Sequence, residues 1–156
     1  MTSNPQEIIQ DIRTEFEMIL EFVTGDKAQV STAYQIECGL LKRLLSMGRQ
    51  LLLLFFVMRS KNASRDPIVL EDGQDLPHHD EKERKYFSIF GKLPIERPYF
   101  YRWGSGGQVL LDAELSLGSD QYSDLLRDMA EHLGVYMAYN KSANILKRFL
   151  SISLST

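Results

Sequence analysis

Residues 86–103 have the sequence YFSIFGKLPIERPYFYRW, and this stretch decides the fold class. It is dense in aromatic and β-branched side chains, which favour extended backbone. Side chains alternate in character around Tyr86, Ser88 and Phe90, with the spacing of two that is typical of a strand. Gly91-Lys92 supplies a turn, so the stretch predicts a β-hairpin.

Two prolines restrict the second strand of this hairpin. Pro94 and Pro98 have no backbone N–H to donate, which places the strand at a sheet edge or on an irregular extended path. The glycine-rich turn 104–107 (GSGG) follows, and residues 108–111 can add a third short strand. A phosphate-binding loop would need a helix N-terminus directly after the glycines. Because an apolar strand and Asp112 are expected there instead, GSGG is interpreted as a plain loop.

Two helices are expected before the hairpin. Residues 5–23 have apolar side chains at intervals of three and four, which predicts an amphipathic helix. Residues 30–58 predict a second helix about 43 Å long at 1.5 Å per residue, longer than a small globule covers. Its surplus surface is expected to pack against another copy or another domain. Leu44, Leu51 and Met58 lie seven residues apart, as in a coiled-coil seam, but three such positions are too few to establish one, and a core helix is the preferred interpretation.

Helical periodicity returns after the hairpin. A helix is expected to begin near Tyr122, with Ser119 or Asp120 as its cap, and to end at Gly134. A second helix is expected over residues 139–150. This pair is compatible with part of a helix-turn-helix. A further helix capped by Ser153 or Ser155 is also conceivable.

The predicted fold class is α+β in four segments. Residues 1–60 form a helical hairpin with one long helix, and 61–83 form an acidic linker or loop. Residues 84–118 form a β-hairpin or small three-stranded antiparallel sheet, and 119–156 form the helical pair. His78 and His79 lie in the linker, and because adjacent side chains point apart, solvent exposure is expected there rather than a metal site.

Composition and charge restrict the function class. The chain has 156 residues, 44% hydrophobic content, one cysteine (Cys38) and a net charge of −3. Its longest apolar run, residues 51–58, is far shorter than the roughly 20 residues needed to cross a bilayer. No secretion signal is recognised in residues 1–10, so a cytoplasmic, reducing location is expected.

Charge alternates along the chain in blocks. Residues 41–61 carry +5, residues 84–102 carry +4 and residues 141–156 carry +3, separated by acidic blocks. A nucleic-acid role would therefore depend on local basic patches. Solvated faces, or complementary contacts between subunits, explain the same alternation.

The stretch from Tyr86 to Thr156 resembles the N-terminal region of ISKra-type bacterial insertion-sequence transposases. The resemblance is carried by the order of the aromatic hairpin with its FG turn, the segment LDAEL at 111–115, the helix opening at Tyr122-Ser123 and the amphipathic helix 139–150. The preceding helix ending in LLLLFFVMR also fits. Some relatives have cysteines after the aromatic strand; residues 101–107 have none, so zinc is not expected.

The resemblance implies a non-catalytic part of a transposase that contacts insertion-sequence ends during transposition. In that family, the catalytic ribonuclease-H-like domain lies beyond this region, as a following segment or the product of a second frame, and would be the partner of this chain. The expected DNA-contacting side chains are Arg97, Arg102, Lys141, Lys147 and Arg148. No cofactor or catalytic residue is assigned, because the acidic side chains between Asp112 and Asp128 are explained by solvation and capping.

Two other function classes remain open. An oligomerisation or protein-interaction module would use the first two helices for self-association and would lack its own DNA specificity. A small-molecule enzyme has little support, since the sequence shows no ordered set of nucleophile, base and oxyanion donors, and Cys38 lies on a predicted helix where a buried thiol is the default.

Overall fold

A computed structural model describes residues 4–136 and 139–150 of the chain, which has an α+β fold. In chain order the elements are α1 (Pro5–Thr24), α2 (Asp26–Gln29), α3 (Ala33–Asn62), β1 (Ile68–Val69), β2 (Asp75–Leu76), β3 (His78–Ser88), β4 (Gly91–Arg102), β5 (Gly106–Gln108), α4 (Leu110–Glu114), α5 (Asp124–Tyr136) and α6 (Tyr139–Leu150). The further helix considered around Ser153 and Ser155 lies outside the described residues.

The N-terminal helical hairpin is confirmed. Asn4 caps α1 by accepting a hydrogen bond from the Gln6 N–H at 3.1 Å. Thr32 and Gln35 form a capping box at the start of α3, where the Thr32 N–H donates to Gln35 Oε1 at 2.9 Å. These caps satisfy N–H groups that have no partner within the helix. The long helix α3 extends four residues beyond the predicted Met58, to Asn62.

Helices α1 and α3 pack antiparallel. Ile8 and Ile19 are buried in the hairpin. Near the end at which the two helices are connected, the Phe22 ring packs against Gly39, and the Arg43 guanidinium lies 3.8 Å from the ring centroid. A Cβ at Gly39 would collide with the Phe22 ring, so glycine permits this close approach of the two helices.

The main sheet has three antiparallel strands in the order β3-β4-β5. Strand β4 pairs with β3 along its length, but β5 pairs only with residues 100–102. The β4 edge that carries Pro94 and Pro98 is therefore open, as their missing N–H groups require. The turn lies at Ile89-Phe90, not at Gly91-Lys92, and Gly91 takes the left-handed φ of +104° that closes it.

The prediction that residues 61–83 form a linker or loop is wrong for the C-terminal part of this segment. Strand β3 begins at His78, and residues 80–83 pair with residues 96–99 of β4. Strands β1 and β2 also form a two-stranded ladder within this segment. The charged composition resembles a loop, but a half-exposed strand accepts charged side chains on its solvent face when its partner supplies the apolar ones.

The core joins α3 to the hairpin. Phe56, Leu93 and Ile95 are buried together, and the Tyr86 ring meets Phe56 edge-on at 5.2 Å. Burial raises the pKa of the Tyr86 phenol above its ordinary value. Full burial of a Phe, Leu or Ile side chain stabilises the folded state by about 1.5–3 kcal/mol. Arg49 adds a polar link from α3, donating two hydrogen bonds to the Lys92 carbonyl at 2.9 and 3.1 Å.

The C-terminal region departs from expectation in three places. The third strand is β5, and a short helix, α4, occupies residues 110–114 in place of strand. Ser123, and not Ser119 or Asp120, caps α5, since its Oγ accepts from the Leu126 N–H at 3.0 Å. Gly134 lies inside α5 rather than at its end. Its φ is not left-handed, so the helix continues through it.

Candidate nucleic-acid interface

Helix α6 has two contrasting faces. Its apolar face buries Leu146 and Ser142 and packs against α5, where Leu126 is also buried. The opposite face is fully polar, and all of its side chains are exposed: Asn140, Lys141, Asn144, Lys147 and Arg148. No acidic residue occurs in α6. The helix therefore presents an exposed face of cations and amides.

The helical period brings these side chains together. Lys141, Asn144 and Arg148 follow one another at three and four residues, so they form one line along the helix. Lys and Arg bind phosphate oxygens, and Arg and Asn can each make two hydrogen bonds to a base edge. A helix of this diameter fits the DNA major groove, which is about 12 Å wide.

Three of the four acidic side chains at positions 120, 124, 128 and 131 have basic neighbours other than α6, and Glu131 is exposed. Arg127 pairs with Asp120 at 2.7 Å and with Asp124 at 3.1 Å. Asp128 lies 3.6 Å from His132. In the described part of the chain, no acidic side chain pairs with a basic side chain of α6. The α6 cations are thus free to contact a ligand.

Arg97 occupies a different environment. It is buried, with 9% of its surface exposed, and its guanidinium bonds Asp112 Oδ2. Arg84 approaches the same carboxylate oxygen at 3.1 Å and also donates to the carbonyls of Gly118 and Asp120. Two strand arginines therefore converge on one aspartate of α4. The expectation that Arg97 contacts DNA does not fit this position, and the interpretation of Asp112 as solvated is wrong.

Arg102 lies at the end of β4, where its side chain is exposed. The next residue, Trp103, is 88% exposed at the turn into β5. Gly104 and Gly106 take φ values of +84° and +80°, which allow a tight reversal of the chain next to Trp103. A side chain that could stack on a base thus stands beside a cation. Sequence reasoning named Arg102 but passed over Trp103.

The two histidines of β3 and the free cysteine of α3 are the other candidate functional side chains. His78 lies on β3 within 3.2 Å of Glu81, and the exposed His79 ring packs against Tyr101 at 5.4 Å. Among the residues that the structure describes, no three His, Cys, Asp or Glu side chains are grouped as metal ligands. Cys38 is a half-buried free thiol on α3.

Comparison of the chain with protein-family models, with curated proteins and with solved structures gives no significant match. Within the described ranges, none of the helices has the length and apolar character required to traverse a bilayer. Any functional assignment therefore depends on the exposed α6 face and on the resemblance in sequence order.

Proposed function

We propose that this chain is a non-catalytic DNA-recognition part of a bacterial insertion-sequence transposase. The observation that carries the proposal is the acid-free exposed face of α6, which combines three cations with two amides. The proposal includes a cytoplasmic location. It also assigns the chemistry of strand cleavage and transfer to a catalytic transposase segment or second-frame product that acts as its partner.

In this proposal α6 contacts the major groove and α5 supports it from behind. Lys141, Lys147 and Arg148 bind backbone phosphates and fix the position of the helix. Asn144, at the centre of the face, contacts a base edge and contributes about 1–3 kcal/mol of discrimination against the wrong base pair. Arg102 and Trp103 at the β4–β5 turn provide a second contact with the same duplex. Arg97 takes no part, because it is buried.

Salt dependence gives the first test. Each neutralised phosphate contributes about −0.9 to the slope of log affinity against log salt, so the α6 cations alone predict a slope near −2.7. Fluorescence anisotropy measures this slope with labelled duplexes that carry the terminal inverted repeats of the insertion sequence that encodes the chain. A shuffled duplex of the same length tests sequence preference. Equal affinity for the two duplexes at low salt contradicts recognition of the ends.

Charge-matched variants give the second test. The triple variant K141Q, K147Q and R148Q removes three positive charges from α6, and we expect it to lower affinity by at least about 10-fold and to abolish most of the salt slope. The control variant K27Q, K61Q and K85Q removes three exposed lysines from α2, α3 and β3. We expect the control to bind nearly as the parent does. Equal losses in both variants would assign the binding to net charge alone.

A further inference from the structure

Helix α3 has three faces, and the residues that the structure describes cover only two of them. One face packs on the hairpin through Phe56 and its neighbours, and a second packs on α1. The third face carries five large apolar side chains that are between 41% and 49% exposed: Leu41, Leu44, Leu51, Phe55 and Met58. Scattered apolar residues are normal on a protein surface, but a continuous stripe of them marks an interaction site.

The spacing of the stripe suits helix packing. Its positions follow one another at intervals of three, seven, four and three, as in the seam of a helical bundle. Gly48, which lies within the interval of seven, is covered by the Phe90 ring. None of its positions is charged. The stripe is about 26 Å long at 1.5 Å per residue.

Helix α1 widens this surface. Phe16 is 48% exposed and Leu20 is 40% exposed. Ile8 and Ile19 point towards α3, and the two helices run antiparallel. On right-handed helices in this arrangement, Phe16 and Leu20 lie on the same side of the hairpin as Leu44 and Leu51, away from the sheet. Together these side chains form a two-helix apolar face.

We propose that a second copy of this chain covers the two-helix apolar face and forms a symmetric four-helix dimer. The basic side chains of α3 do not oppose this contact. Three of them are engaged on the other faces of the helix: Arg43 lies over the Phe22 ring, Arg49 donates to a hairpin carbonyl and Arg59 pairs with a carboxylate of α4. A two-fold axis therefore joins the apolar surfaces of two copies without placing these cations against one another.

The size of the face suits a specific dimer. Two packed helices are about 20 Å wide, so a 26 Å stripe gives a footprint on the order of 500 Å² per copy. Two copies then bury about 1,000 Å², the area at which specific interfaces begin. The dimer carries two α6 helices related by symmetry, which fits two DNA sites in inverted orientation. Dimerisation itself does not depend on DNA binding.

Sedimentation equilibrium of the full chain tests the proposal. We expect a concentration-dependent dimer that Leu51→Glu weakens by about 100-fold or more, because the dimer would bury an unpaired carboxylate. Leu51 is 49% exposed, so the monomer tolerates the change, and circular dichroism confirms that it folds. Leu125→Glu is the control, since Leu125 is 54% exposed on α5, outside the face. A monomer up to roughly 100 µM, or a dimer unaffected by Leu51→Glu, overturns the proposal.

Cross-linking tests whether the two-helix face is the interface. In a Cys38→Ser background, one protein carries Phe16→Cys and the other carries Leu44→Cys. Because both positions lie on the face, a short thiol cross-linker is expected to join two copies in a mixture of the two proteins. Absence of cross-linked dimer at concentrations where the chain is dimeric overturns the proposal. DNA binding is measured separately on the monomeric Leu51→Glu variant. If this variant still binds DNA, the two proposals stand or fall independently of each other.

Discussion

Two basic segments of the chain differ in how their charges are used. The hairpin block 84–102 carries +4 and the block that contains α6 carries +3. In the hairpin, Arg84 and Arg97 converge on Asp112 of α4 and are largely buried. In α6, Lys141 and Arg148 extend into solvent and, within the described residues, meet no acidic side chain.

The difference shows that a basic block in a sequence does not by itself indicate an anion-binding surface. A basic side chain is available to bind an anion only if no other element places an acidic side chain next to it. Helix α4 brings Asp112 to the strand arginines. Within the described residues no acid in or near α5 pairs with α6: Arg127 engages Asp120 and Asp124, and the exposed Glu131 makes no ion pair with an α6 cation. Arg84 and Arg97 of the first block are therefore structural, whereas the exposed cations of the second block remain available to a ligand.

The largest effect is expected when Asp112 is removed. Asp112→Ala leaves the guanidinium groups of Arg84 and Arg97, whose side chains are only 13% and 10% exposed, without their carboxylate. Removing one partner of a buried ion pair costs about 3–5 kcal/mol of unfolding free energy. Urea denaturation followed by circular dichroism measures this loss. Asp124→Ala is the control, because its pair with Arg127 is exposed and worth less than about 1 kcal/mol.

A loss of less than about 1 kcal/mol in Asp112→Ala would remove the distinction between the two blocks. The carboxylate would then contribute no more than a surface ion pair does. The hairpin arginines would have to be considered for ligand binding together with those of α6.

The next largest effects come from comparing single arginines of the two blocks. We expect Arg97→Gln to cost about 2 kcal/mol of stability, since it weakens a partly buried charged hydrogen bond, and to leave the salt slope of DNA binding unchanged. We expect Arg148→Gln to leave stability within about 0.5 kcal/mol, as for most surface substitutions, and to reduce the salt slope by about one.

Denaturation and anisotropy measured on the same two proteins give both results. A reduced salt slope in Arg97→Gln at a salt concentration where that variant is fully folded would contradict the structural role of Arg97. A large loss of stability in Arg148→Gln would contradict the exposed role of Arg148.

Features set by local spacing are predictable from this sequence. The periodicity of residues 5–23 and 139–150 specifies α1 and α6, and it also places Lys141 and Arg148 on one face. These features depend only on residues within a few positions of one another, so one sequence contains the information that they need.

Features set by distant partners were not predictable. The burial of Arg97 depends on Asp112, which lies 15 residues away and reaches it only through the turn of α4. The first residues of β3 resemble a charged loop until β4 pairs with them. The length of α3 predicts surplus surface, but its apolar pattern does not show which side is surplus, and only the positions of α1 and the sheet show which face the described residues leave uncovered.

The smallest expected effects are the stability changes caused by two glycine substitutions, one in α5 and one in α3, which are expected to have opposite signs. Gly134 lies exposed within α5, and a Cβ added there would meet no described atom within 4 Å, whereas a Cβ at Gly48 of α3 would lie 2.6 Å from the Phe90 ring. Gly134→Ala is expected to stabilise by about 0.5–1 kcal/mol through helix propensity. Gly48→Ala gains the same propensity but must displace Phe90, which costs about 1–3 kcal/mol, so a net loss is expected. Urea denaturation measures both, and stabilisation by Gly48→Ala would show that the contact between α3 and the hairpin is looser than its geometry indicates.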